Sequence, residues 1–149
     1  TRLGTTTDSP IDPTRAEIHI QNNVAPESPF HDRYRLFTWM SEMAKDMEAK
    51  HPRLQRVGTG SWLNNKRSFL QIYPASYQES LDRFPGDNKS GLGTWGQFIA
   101  HGLTLHKQRA EILRRELRFP CPQLQGTCNV DHFKDHVDQQ LRSLKEGRD

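Results

Sequence analysis

Polar and apolar residues first alternate at Glu17-Ile18-His19-Ile20-Gln21, a period of two that predicts a short strand with Ile18 and Ile20 facing inward. The period then lengthens. From Phe30 to about Lys50, the residues Phe30, Tyr34, Leu36, Phe37, Met40, Met43, Ala44 and Met47 fill about half the circumference of a helix turning ~100° per residue. So wide a band belongs to a substantially buried helix. Ser28-Pro29 offers its start, Ser as N-cap and Pro at the first helical position, and His51-Pro52 offers its stop. Arg33 falls inside the band, so its guanidinium must escape at the helix end or find a partner. Leu54-Gln55-Arg56-Val57 predicts a second strand, closed by Gly58-Thr59-Gly60. Strand, helix and strand in this order make a βαβ unit, with parallel strands and both carboxyl ends on one side.

Beyond Gly60 the pattern is helical. Ser61 can cap a short helix through Tyr73, ended by Pro74, and Ser76 another that carries Tyr77 and Leu81. Thr94 can cap a helix over Trp95–His101 that Gly102 ends, and residues 104–118 predict a charged helix. Phe119 to Thr127 reads as a Pro-containing connection. Val130, Phe133, Val137, Leu141 and Leu144 form the narrow apolar stripe of a last helix. The expected fold is α+β, mostly helical with a small parallel βαβ element. The alternative is an all-α bundle in which the strands are merely extended segments. Residues 1–16, rich in Thr, Asp and Pro, predict an extended or disordered N-terminal arm, and residues 17–149 a single mostly helical domain.

Composition narrows the classes. With 33% hydrophobic and 26% charged residues, and no apolar run near the ~18 residues a spanning helix needs, the chain predicts a soluble protein and no membrane partner. Two cysteines are too few for a disulfide framework, so a reduced, cytoplasmic protein is the default. The net charge of +3 comes from 21 basic residues interleaved with 18 acidic ones. Nucleic-acid binders concentrate such an excess on one face, so nucleic acid is not the expected partner. The sequence leaves the oligomeric state open.

The order Ser28-Pro29-Phe30, Ser61-Trp62-Leu63-Asn64-Asn65, Phe84-Pro85, Trp95-Gly96-Gln97-Phe98 and the Cys128…His136 tail resembles a group of small stand-alone hypothetical proteins. That group has no assigned activity, so the resemblance implies the element order and no function. Gln71-Ile72-Tyr73-Pro74 departs from it, where a Leu-Phe-Pro-like block is expected.

Candidate chemistry centres on Gly58-Thr59-Gly60-Ser61-Trp62-Leu63-Asn64-Asn65. Ligands of parallel sheets gather beyond the strand carboxyl ends, where His19, Asn22 and Asn23 would meet Gly58 to Ser61. Glycines let backbone approach a ligand, and N–H groups at a helix start attract anions. The stretch lacks the Gly-Lys-Ser/Thr ending of a Walker loop and the third glycine of a dinucleotide fingerprint. A tight turn and a cap explain the same residues without a ligand. In Thr94-Trp95-Gly96-Gln97-Phe98-Ile99-Ala100-His101, Trp95 and Gln97 suit the lining of a small-molecule pocket, against a bland reading as core and wet faces.

Cys121, Cys128, His132 and His136 carry zinc-binding chemistry at the wrong spacing, and His19, His101 and His106 are a weaker set, so neither metal nor cofactor is expected. A Cys128–His136 pair is a lesser nucleophile candidate, its thiol pKa lowered by a nearby helix N-terminus. The expectation is therefore a small-molecule enzyme or ligand-binding protein. His19 and Ser61 would be catalytic, and Asn22, Gly60, Trp62, Asn64, Trp95 and Gln97 would hold a ligand, anionic by the chemistry of that corner. The alternative is a helical interaction module binding a protein or nucleic acid. Convergence of His19, Ser61 and Gln97 in one cleft discriminates the two.

Overall fold

In the computed structural model, which describes residues 2–3, 12–20, 24, 27–83 and 92–147, the widest apolar band becomes helix α1, Arg33–Lys50. Leu36, Phe37, Met40, Met43, Ala44 and Met47 are buried along it. The helix starts later than Ser28-Pro29 predicts. Asp32 is the N-cap, its carboxylate accepting from the Arg35 N–H at 3.0 Å, while the Ser28 hydroxyl accepts from Phe30 N–H in the turn before. A carboxylate at that position satisfies an orphan donor and also meets the positive end of the helix. Arg33 finds partners: it donates to Gln140 Oε1 at 3.0 Å, and its guanidinium lies 5.8 Å from the Phe37 ring centroid.

Strands β1 (Arg2–Leu3), β2 (Arg15–His19), β3 (Arg56–Ser61), β4 (Asp82–Arg83) and β5 (Leu124–Asn129) form one mixed sheet in the order β1-β2-β3-β5-β4. β2 and β3 are parallel across the α1 crossover, as the βαβ pattern predicts, and the other pairs are antiparallel. The fold is α+β, and the all-α alternative falls. Two boundaries move. β2 begins at Arg15, and Arg2–Leu3 pairs with Ile18 and His19, so part of the expected arm extends the sheet.

β3 does not close at Gly58 but runs on to Ser61, because β5 pairs with it residue for residue from Arg56↔Asn129 to Ser61↔Leu124. β5 replaces much of the expected connection. Its inward positions, Leu124, Gly126 and Cys128, keep the period of two, but a glycine and a cysteine give no apolar alternation to read. Two glycines allow close approach there. A Cβ on Gly126 would lie 2.6 Å from the Tyr77 ring, and one on Gly58 would lie 2.7 Å from the Gly126 carbonyl oxygen.

The remaining helices are α2 (Arg67–Leu70), α3 (Ala75–Glu79), α4 (Leu92–Trp95), α5 (Lys107–Glu116) and α6 (Val130–Glu146). Ser61 caps a 3₁₀ turn over Trp62–Asn65, accepting from Leu63 N–H at 3.1 Å. Ser76 is no cap; it lies inside α3, behind Pro74. Thr94 likewise lies inside α4, and the helix expected over Trp95–His101 breaks into a 3₁₀ turn at Gly96–Phe98 followed by a hairpin. In that hairpin Ile99 faces Leu105, and Gly102 at φ +73° turns the chain. Asn129 caps α6, accepting from Asp131 N–H at 2.8 Å. α1 and α6 pack together, and with α2 and α3 they cover one face of the sheet around Ile18, Val57, Phe69, Tyr73, Tyr77, Cys128, Phe133 and Val137.

Candidate functional site

Strand pleating decides the fate of the expected catalytic pair. Glu17 lies opposite Gly58, so His19 shares the face of Gly58 and Gly60, while Ser61 shares the helix-covered face of Val57 and Thr59. One residue of offset sends the two side chains to opposite sides of the sheet. The imidazole of His19 is half-exposed and lies 3.7 Å from the Glu17 carboxylate. The Ser61 hydroxyl is engaged by Leu63 N–H. The expected pairing of His19 with Ser61 is not formed. Gly60 sits within the ladder opposite Gln125, so the open glycine turn is not there either. Asn22 and Asn23 lie outside the described residues.

Under the sheet, the polar residues satisfy one another. The Thr59 hydroxyl donates to the Ile18 carbonyl at 2.8 Å and lies 2.7 Å from the Tyr73 hydroxyl. The Tyr77 hydroxyl donates to Asn64 Oδ1 at 2.9 Å, and Asn64 Nδ2 donates to the carbonyls of Thr59 and Leu124 at 3.1 and 2.7 Å. The two phenol rings stack with centroids 3.8 Å apart. Burial pushes the Tyr77 hydroxyl up to about 12 against its hydrogen bonds to Asn64 and Thr59, and raises that of Tyr73 still further. Asn64 is thus a buried strut whose amide is engaged within the chain, and Tyr73 and Tyr77 join it from a stretch that the sequence pattern divides between two helices.

Gln97 and Trp62 have the same fate. Gln97 is fully buried; its amide donates to the carbonyls of Thr94 and Cys121 at 3.0 and 3.4 Å, and its oxygen accepts from Cys121 N–H at 2.9 Å. Trp62 Nε1 donates to the Gly93 carbonyl at 2.9 Å. Arg109 lies 5.5 Å from the Trp62 ring centroid and donates to the Gln97 carbonyl at 2.6 Å. These groups tie residues 92–123 to the end of the sheet.

Among the described residues, no three groups of metal-ligating type gather. Cys128 is buried in the core, His132 is exposed, and His136 Nε2 lies 3.0 Å from the Gln71 carbonyl oxygen. The expected lowering of the Cys128 thiol by the α6 N-terminus does not occur. Burial pushes it up to about 12, against the charge of Arg56.

The chain also exposes several large apolar side chains. Ile99, Leu103, Leu105 and Leu117 are 55%, 68%, 61% and 85% exposed, and Trp95 is 46% exposed. Ile99 and Leu105 are cross-strand neighbours in the hairpin, with Leu103 at its tip. Trp95 packs edge-on to Phe119 at 5.2 Å and tilts against Phe98 at 5.7 Å. Leu103 and Leu117 adopt left-handed backbone at φ +60° and +51°. α5 packs against the Gly96–Phe98 turn; all ten of its residues are described, and none is buried. Of these residues, sequence reasoning singled out only Trp95 as a site candidate, because Leu103 and Leu105 fell at an expected helix boundary. No protein-family model matches the chain, and neither a curated protein nor a solved structure matches it.

Proposed function

We propose that this protein is an interaction module that docks a protein partner on the apolar surface formed by Trp95, Ile99, Leu103, Leu105 and Leu117. The observation that carries the reading is the pair of leucines in left-handed backbone. That conformation costs a non-glycine residue about 1–2 kcal/mol, and Gly or Asn are the usual occupants. Leu103 and Leu117 combine this strain with side chains turned to solvent. Neither choice stabilises the isolated chain, whereas both make sense if the side chains are anchors for a second molecule. The dispersal of His19, Ser61 and Gln97 supports the same reading, since the groups expected to form an enzyme pocket are engaged elsewhere.

A display selection tests it. Short random peptides would be selected on the wild-type chain and depleted on the Leu103→Asn/Leu117→Gly variant. Both substitutions suit left-handed backbone, so the variant should remain folded, as circular dichroism would check. The expected result is a set of peptides that bind the wild type and not the variant. Peptides that bind both equally, or no enrichment at all, would remove this surface as the docking site.

A further inference from the structure

We infer that the partner presents a segment of net negative charge with aliphatic or aromatic anchors, an inference that rests on the docking reading above. Residues 92–123 hold five cations, Lys107, Arg109, Arg114, Arg115 and Arg118, against two carboxylates, Glu111 and Glu116. That excess equals the +3 of the entire chain, so the rest of the sequence is balanced. The surplus therefore sits in the segment that carries the exposed leucines.

Local pairing does not remove it. Glu111 pairs with Arg114 at 2.8 Å, and Glu116 is shared by Arg115 and Arg118. Arg109 is drawn inward to Trp62 and Gln97, which leaves Lys107 at one end of α5 and the Arg114–Arg118 cluster at the other to face outward. Exposed apolar anchors in the segment that carries the surplus cations select an acidic partner through complementary potential, which also raises the association rate.

The other occupants fit less well. A second copy would bring the same positive field against itself. Single-stranded nucleic acid gains affinity by stacking bases on aromatic faces, yet four of the five exposed residues, Ile99, Leu103, Leu105 and Leu117, are aliphatic, and Trp95 already packs on Phe98 and Phe119. An anionic bilayer would accept leucines and cations, but a fluid surface places no demand on leucines held at two fixed left-handed positions.

The test uses the full chain and two synthetic peptides with the same leucine and phenylalanine anchors, one flanked by glutamates and one by lysines. Each would be titrated by fluorescence anisotropy at several salt concentrations. Phosphatidylcholine/phosphatidylserine vesicles, a single-stranded oligonucleotide and sedimentation of the protein alone run beside them. The glutamate peptide should bind about tenfold or more tightly than the lysine peptide. Its affinity should fall with salt, and it should be lost in the Leu103→Asn/Leu117→Gly variant. In an Arg114→Glu/Arg118→Glu variant the preference should shrink or reverse, with Lys107→Glu as a second variant should that helix unfold. Equal binding of both peptides overturns the charge inference and leaves the docking reading standing. Binding of neither overturns both. Vesicle binding, oligonucleotide binding or self-association that depends on Leu103 and Leu117, in place of the peptide preference, assigns the surface to that occupant and overturns the inference.

Discussion

At position 126 the missing side chain is filled by a phenol ring. A methyl there would meet the Tyr77 ring at 2.6 Å, and the ring is held on two sides, by its hydrogen bond to Asn64 at 2.9 Å and by its stack on Tyr73. Gly126→Ala should therefore destabilise by about 1–3 kcal/mol, as overpacking does, read as a lower urea midpoint. An unchanged midpoint would mean that Tyr77 is free to move. Leu117 makes the opposite case. Leu117→Gly relieves left-handed strain at a position where the side chain is 85% exposed, so the free protein should gain about 1 kcal/mol and melt a few degrees higher. A lower melting temperature would show that the leucine packs within the chain and would undo the argument for an external anchor. At this scale the sequence marked Asn64 and Gln97 as polar residues suited to hold a ligand. It could not say that their partners are backbone carbonyls in the same chain, since a buried amide satisfied internally and one waiting for a ligand have the same letter.

At the scale of elements, legibility followed the size of the inward side chains. α1 was readable because its band of Phe, Leu and Met is wide, and α6 because Phe133 and Val137 recur at helical spacing. β5 was not, because Gly126 and Cys128 leave space for Tyr77 and so give no apolar alternation to see. The hairpin at residues 98–106 was hidden for a different reason. Ile99, Leu103 and Leu105 face out, whereas periodicity arguments assume that apolar residues face in. The same contrast sets local stability. α5 buries none of its residues and is tethered by Arg109, by the hydrogen bond from its N–H to His106 Nδ1 at 3.4 Å, and by its links to Gln97 and Trp62. Its amides should exchange with deuterium well before those of α1 and α6, and a bound partner should slow them. Protection in α5 equal to that in α1 would mean that the helix is held by contacts beyond these, and that the surface is less open than its exposure indicates.

Among the described residues, three acidic protons lie beneath the sheet, on Tyr73, Tyr77 and Cys128, and at the scale of the whole molecule their common burial makes a pH dependence. Ordinary thiols ionise near about 8.5 and phenols near about 10. In the fold, Tyr77 and Cys128 are each raised to about 12 and Tyr73 is raised further, with burial the largest cause in all three. A group whose folded pKa lies above its unfolded value holds its proton in the native state while the unfolded chain releases it. Stability is therefore complete below about 8.5 and declines as pH rises from there toward about 12, first through Cys128 and then through the tyrosines. Urea midpoints measured at stepped pH should be level near neutrality and fall through the alkaline range. Cys128→Ala should remove the earliest part of that fall, leaving a decline that begins near the phenol value. Tyr77→Phe should lower stability at neutral pH by about 1 kcal/mol, since Asn64 loses a donor, while flattening the later slope. A midpoint that stays level through that range would mean that water reaches these groups. The stacked tyrosines would then line an open cavity rather than close the core, and the enzyme reading would regain the pocket that the dispersal of His19, Ser61 and Gln97 took from it.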